Sequence, residues 1–251
     1  MASRLRDKVA LITGSGAGIG RAAALRFAAE GARVVVAEVV VERGEAVAEE
    51  IAGQGGEAVF VKTEVADPAS VRDAIRRVVE TFGRLNILYN NAGGSRPEDG
   101  LVTEVTEETW WKTHSVDLFG TFVVCKYGIP ELIRAGGGVV VNTASYMALV
   151  GNPLMAYSAA KGGVISLTRC IAAEYGHLGI RANVICPCAV LTERLSQRLQ
   201  TDPRIQALPA QHLLGLAEPA DIAGLALFLA SDEARRITGA VIAIDSGLTA
   251  R

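Results

Sequence analysis

"KVALITGSGAGIG" (residues 8–20) joins a short aliphatic run to a glycine-rich turn and then to an amphipathic stretch. The run has strand length and no polar alternation, as expected of a strand buried on both faces of a parallel sheet. Gly14, Gly18 and Gly20 allow a tight turn, close backbone approach and close helix–sheet packing. The N–H groups that open the following helix can then hold a pyrophosphate. A glycine-rich turn alone is weak evidence, because glycines also mark ordinary turns. Here a strand precedes it, a helix follows it, and an acid, Glu38, closes the second strand-like run "RVVVAE" (33–38). A carboxylate at that place can accept hydrogen bonds from the adenosine ribose hydroxyls and would repel a 2′-phosphate. No Lys or Arg stands at Ser15, Ala17 or Val39 to bind such a phosphate. The expected cofactor is NAD, held by Gly14, Ser15, Ala17, Gly18, Ile19, Gly20, Glu38 and Val39.

The same alternation continues along the chain. Further strand candidates are "AVFVKT" (58–63), "LNILYN" (85–90), "GVVVNTA" (138–144), "IRANVIC" (180–186) and "AVIAID" (240–245). Helical patterns lie between them, such as 18–30, with Ala23 and Phe27 on one face, and 68–82, with Pro68 in its first turn. "GQGGE", "AGGSRPEDG" and "RAGGG" punctuate the elements, and no internal repeat interrupts them. The reading is α/β: residues 1–251 form a single doubly wound Rossmann-like domain, a seven-stranded parallel sheet with helices on both faces. Ligands in such a sheet sit beyond the carboxyl ends of the strands.

Half of the 251 residues are apolar and about a fifth are charged, ample for a buried core. The formal charge of −2 gives no general attraction to nucleic acid or anionic lipid. The first apolar run is too brief for a signal sequence or a membrane span, and no later segment offers about twenty uninterrupted apolar residues. A cytoplasmic protein with no membrane or nucleic-acid partner is expected. Cys125, Cys170, Cys186 and Cys188 lie in or beside apolar segments and read as small buried hydrophobes. His114, His177 and His212 lack ligand spacing, and Cys186 and Cys188 are too close for a usual zinc half-site, so no metal is expected.

"AYSAAKGG" (156–163) sets Tyr157 four positions ahead of Lys161, one turn apart on one helix face. With five Tyr and five Lys in the chain, roughly a tenth of one such pair arises by chance, so its surroundings decide. The glycine turn, "NNAG" (90–93), Ser145 after the fifth strand and "YSAAK" (157–161) follow in this order on this topology. With "IRANVICP" and "ITGAVIAIDSG" they resemble the short-chain dehydrogenase/reductase family over essentially the whole chain.

That resemblance implies an NAD-dependent oxidoreductase interconverting a secondary alcohol and a ketone. It implies Tyr157 as general acid/base: a free phenol has a pKa near 10, and Lys161 would favour its anion and also bond the nicotinamide ribose. Ser145 would bond the substrate oxygen and stabilise developing charge. Asn91 would bond the neighbouring strand's backbone, while Ala92 and Gly93 lie against the adenosine ribose. Glu64 and Val65, where the family has Asp-Val, would meet the adenine. Val190 and Thr192 would hold the carboxamide.

Three places depart from the family. Asp117, in "SVDLFG", replaces an Asn that helps hold a water linking the lysine to bulk solvent. A carboxylate accepts from such a water but cannot donate when ionised, and it favours a protonated lysine. A retained relay with an altered pH profile is expected. Cys188 follows Pro187 where the family has glycine, close to the expected nicotinamide. "DSG" (245–247) replaces Asp-Gly-Gly, with a local adjustment at Ser246.

Ser145, Met147, Tyr157 and Cys188 are the expected substrate contacts, and Leu149, Leu195 and Leu199 point to an apolar pocket. Residues 192–216 are amphipathic and read as a two-helix lid. Arg96, Arg194 and Arg198 read either as binders of an acidic substrate or as solvated charges on that lid. The family usually forms homotetramers, and Trp110 and Trp111 suit such an interface or the core of one subunit. Two competitors stand: an NADP-dependent ketone reductase, which Glu38 opposes, and a catalytically silent NAD-binding scaffold or sensor. Asp117 and Cys188 motivate the last; the intact Tyr-Lys-Ser set opposes it.

Overall fold

The computed structural model describes residues 3–250, the side chain of Arg204 excepted. Strands β1 (Val9–Thr13), β2 (Arg33–Glu38), β3 (Glu57–Lys62), β4 (Ile87–Asn90), β5 (Gly138–Thr143), β6 (Ile180–Pro187) and β7 (Val241–Ile244) form one sheet in the order β3-β2-β1-β4-β5-β6-β7. Every pairing is parallel. β2 has the bounds expected from the sequence, and each of the other strands differs by one or two residues at one or both ends, the usual uncertainty of element ends.

Side-chain alternation explains why the runs are apolar throughout. Ala10, Ile12, Val34, Val36, Val139 and Val141 turn to one face, where they pack with Ala23 and Phe27 of α1 (Gly18–Ala29), Val47 of α2 (Val41–Gly53) and Ala226 of α8 (Pro219–Ala230). Val9, Leu11, Val35, Ala37 and Val140 turn to the other. There they meet Ala74 of α3 (Pro68–Phe82), Val124 of α5 (Thr121–Arg134) and Ile171 of α6 (Met155–Tyr175). The chain lays β1, β2 and β3 outward in one direction, then returns to place β4 on the other side of β1. The crevice beyond β1 and β4 is therefore the switch point at which such sheets bind ligands.

Between α4 (Glu107–His114) and α5 the helix runs through a wider i→i+5 segment, Ser115–Gly120. Such segments concentrate at functional sites, and this one buries Asp117 to 1% exposure.

Two expectations are corrected. Cys170 is exposed, because α6 turns it away from the sheet, so only Cys125, Cys186 and Cys188 are buried. The 192–216 segment holds one helix, α7 (Glu193–Thr201), followed by single turns at Pro203–Ile205 and Pro209–Gln211 instead of a second helix. Pro203 and Pro209 remove backbone donors that a helix interior needs. Trp110 is half-buried and stacks on His114 with ring centroids 4.2 Å apart, whereas Trp111 is 65% exposed. Among the described residues no helix is long and apolar enough to cross a membrane. Nor does any group of three His, Cys, Asp or Glu side chains there have the spacing to hold a metal ion.

Candidate active site

A cleft of about 710 Å³ opens at the switch point, lined by Gly14, Ala17, Gly18 and Ile19 from the turn after β1 and by Asn91, Ala92 and Gly93 after β4. Gly14 has φ +63°, and a Cβ there would come within 2.9 Å of the Ala92 Cα, so the two loops close on each other only because it is glycine. Asn91 fastens them: its side-chain amide donates to the carbonyls of Thr13 (3.3 Å) and Gly14 (3.2 Å). The start of α1 is left open. Its cap residue is Ala17, which has no side-chain acceptor, and its first turn holds no acid. Uncapped N–H groups at a helix start facing a cleft form an anion site.

Glu38 does more than line this cleft. It is only 8% exposed, and its carboxylate accepts from the main-chain N–H groups of Gly16 (2.9 Å), Val39 (2.9 Å) and Val40 (3.1 Å). It therefore braces the glycine turn against the end of β2. Gly16 is part of the fit, since a Cβ there would meet both Glu38 and Arg43 at 2.8 Å. Glu64, Val65 and Val39 line the same wall, with Arg43 and Val40, which the sequence reading did not include. Ser15 is fully buried and donates to the Ile12 carbonyl at 2.8 Å, so it faces away from the cleft. Gly20 likewise packs against Gly14 and does not line it.

A second cavity of about 240 Å³ adjoins the first and is lined by Ser145, Met147, Tyr157, Pro187, Cys188, Val190 and Thr192. Tyr146, Leu154, Leu195, Ile205 and Leu208 make it largely apolar; Leu149 and Leu199 stay outside it. Arg194 and Arg198 line it, one helical turn apart on α7, and Arg96 does not. The Arg198 guanidinium is paired with Asp202 at 3.4 Å. Tyr157 lines both cavities.

Behind Tyr157, Lys161 is 2% exposed, and its Nζ stands 5.6 Å from the tyrosine ring centre. That ammonium donates to the Thr143 carbonyl (2.9 Å) and pairs with Asp117 Oδ1 at 3.0 Å. The same Oδ1 accepts the Gly94 N–H at 2.9 Å, while the buried Asp117 Oδ2 has no partner among the described residues. Asp117 lines neither cavity and meets the site as the ion-pair partner of Lys161. Burial pushes the Tyr157 phenol above its ordinary pKa and the Asp117 charge adds to this, against the opposing pull of Lys161, Ser145 and Arg194. Burial works to lower Lys161, but Asp117 and Tyr157 together outweigh it and hold the ammonium above its ordinary value. Burial also raises the Cys188 thiol, whose Sγ donates to the Ala189 carbonyl, so this is not an activated nucleophile.

Residues 14–249 match the family described as enoyl-(acyl carrier protein) reductase. A D-threitol dehydrogenase of Mycolicibacterium smegmatis is 41% identical over 248 residues, covering 98% of this chain and 94% of that one. The chain belongs to the short-chain dehydrogenase/reductase family. A cyclohexanol dehydrogenase of Acinetobacter sp. is 36% identical over 253 residues, covering 100% of this chain and 98% of the relative. The crystal structure of gox2181 superposes with a TM-score of 0.95 at 31% identity, covering 100% of this chain and 98% of that one. Members of this family are oxidoreductases that bind a nicotinamide cofactor. The residues present fit one: the open start of α1 suits its pyrophosphate, and the glycine cradle leaves no Cβ in the way.

Proposed function

We propose that this family member is an NAD-dependent oxidoreductase that interconverts a small secondary alcohol and its ketone. One observation carries the reading: Tyr157 stands where the two cavities meet, beside Ser145 and in front of a buried, ion-paired Lys161. The dinucleotide, when bound, supplies the hydride acceptor or donor. Ser145 holds the substrate oxygen and stabilises charge that develops on it. Tyr157 takes the alcohol proton at its phenolic oxygen, or returns it to a forming alkoxide. Lys161 keeps its charge beside that oxygen and favours the phenolate, and Asp117 fixes the lysine in place. The apolar lining of the smaller cavity keeps water from the reacting carbon, and α7 with the turns after it, residues 192–216, serves as the lid of a single domain.

The raised Tyr157 phenol sets the pH dependence. Oxidation needs the phenolate, so its rate climbs with pH beyond neutrality; reduction needs the phenol and stays level until the phenol ionises. Asp117→Asn removes one negative charge from the Tyr157–Lys161–Asp117 cluster, so the first proton leaves at lower pH. The alkaline limb of kcat/KM for oxidation should move down by about one pH unit. Superimposable profiles would remove any special role for the acid.

NAD is favoured by the Glu38 carboxylate at the end of β2. Arg43, on the wall of the same cleft, supports the second reading, an NADP enzyme. Calorimetric titration decides: NAD should bind at least about tenfold more tightly than NADP, and Glu38→Gln should narrow that gap. Tighter binding of NADP by the unaltered enzyme sinks the first reading. Trp111, Phe119 and Phe122 leave apolar surface around α4 and α5, which supports a homotetramer, and four free cysteines suit a cytoplasmic protein.

A further inference from the structure

The helix that carries Tyr157 begins without a cap of its own. Its cap residue, Leu154, has no side-chain acceptor, and its first turn contains no acid. Three main-chain N–H groups at that start therefore lack partners within the helix. All three are taken by one distant loop. The Met155 N–H donates to the Gly100 carbonyl at 3.2 Å. The Ala156 N–H donates to Asp99 Oδ1 at 3.1 Å, and the Tyr157 N–H donates to Asp99 Oδ2 at 2.8 Å. Asp99 Oδ1 also accepts the Gly100 N–H at 2.9 Å, and the side chain is only 6% exposed.

We propose that Asp99 is a positioning residue for the reaction: its carboxylate sets the placement of Tyr157 by holding the tyrosine's own N–H. The inference rests on the reading of Tyr157 as acid/base. The carboxylate bonds the main chain of the residue whose phenol transfers the proton, so a shift of this clamp shifts the phenol. The loop is tied to the rest of the site at its other end. Gly94 N–H bonds Asp117 Oδ1, and the Arg194 guanidinium donates to the Ser95 carbonyl. Residues 94–100 thus span from the acid that pairs with Lys161 to the start of the helix bearing Tyr157, and Gly94 and Ser95 line the smaller cavity.

Asp99→Asn retains the shape but offers one carbonyl oxygen where two carboxylate oxygens accept, so one helix N–H faces an amide NH2. Displacement of a reacting group by about an ångström costs on the order of 100-fold in rate. The expected result is a 10- to 100-fold fall in kcat per folded site, with NADH affinity by fluorescence titration within about threefold of the parent. Asp99→Glu keeps both acceptor oxygens on a longer stem and should recover part of that kcat. A purely structural role predicts the opposite split: a lower melting temperature, weaker NADH binding and unchanged kcat per bound site. That pattern, or equal kcat in the Asn and Glu variants, overturns the proposal. If Tyr157→Phe leaves activity intact, the acid/base reading itself fails, whatever the Asp99 variants do.

Discussion

Tyr157→Phe is expected to lower kcat for both oxidation and reduction by about 10²- to 10⁴-fold, the range supplied by a positioned acid/base. The substitution deletes one oxygen and preserves the ring that lines both cavities. The Lys161–Asp117 pair does not depend on that oxygen, nor do the Asp99 hydrogen bonds, which reach the main chain of residue 157. The melting temperature and NADH affinity should therefore change little, and the loss should appear in kcat. NADH formation across a panel of secondary alcohols is the measurement. Activity retained in the variant would remove Tyr157 from the chemistry. An inactive parent that still binds NADH would favour the silent scaffold.

The second large effect concerns stability. Lys161→Met deletes the only cation paired with the Asp117 carboxylate among the described residues and leaves that carboxylate in the interior. The Gly94 N–H then remains on Oδ1, and among the described residues Oδ2 has no partner even in the parent. Removing one member of a buried ion pair costs about 3–5 kcal/mol, because the survivor is an uncompensated charge. For a chain of this length that is a fall in Tm on the order of 10 °C. Asp117→Leu combined with Lys161→Met should lose less than Lys161→Met alone, because the stranded charge is gone. Thermal or urea unfolding of the three proteins checks both statements, and a double variant no more stable than the lysine variant would contradict them.

The strands were legible because a parallel sheet covered on both faces demands continuous apolar runs, and each of the seven runs is a strand. Their spatial order follows from the doubly wound pattern and not from any one segment. The Tyr157–Lys161 spacing and the glycine turn are local and could be read directly. What could not be read is made by folding. Asp99 lies 57 and 58 positions from the two helix N–H groups it holds, and "PEDG" carries no local sign of them. The bond from Glu38 to the Gly16 N–H joins two loops that only the sheet brings together. Cys170 resembles its apolar neighbours in sequence, and only the rotation of α6 decides which of them face water.

The Glu38 carboxylate has a consequence for anyone wishing to retune this enzyme toward a different dinucleotide. An acid at the end of the second strand invites replacement by a small or basic residue that would welcome a 2′-phosphate. Here that acid also ties three main-chain N–H groups, one of them inside the glycine turn. Replacing it removes the acceptor that braces the glycine turn, so a redesign has to restore an acceptor for the Gly16 N–H before it adds a cation. On the proposed reading, the side chain that would choose between dinucleotides is also the one that braces the cradle.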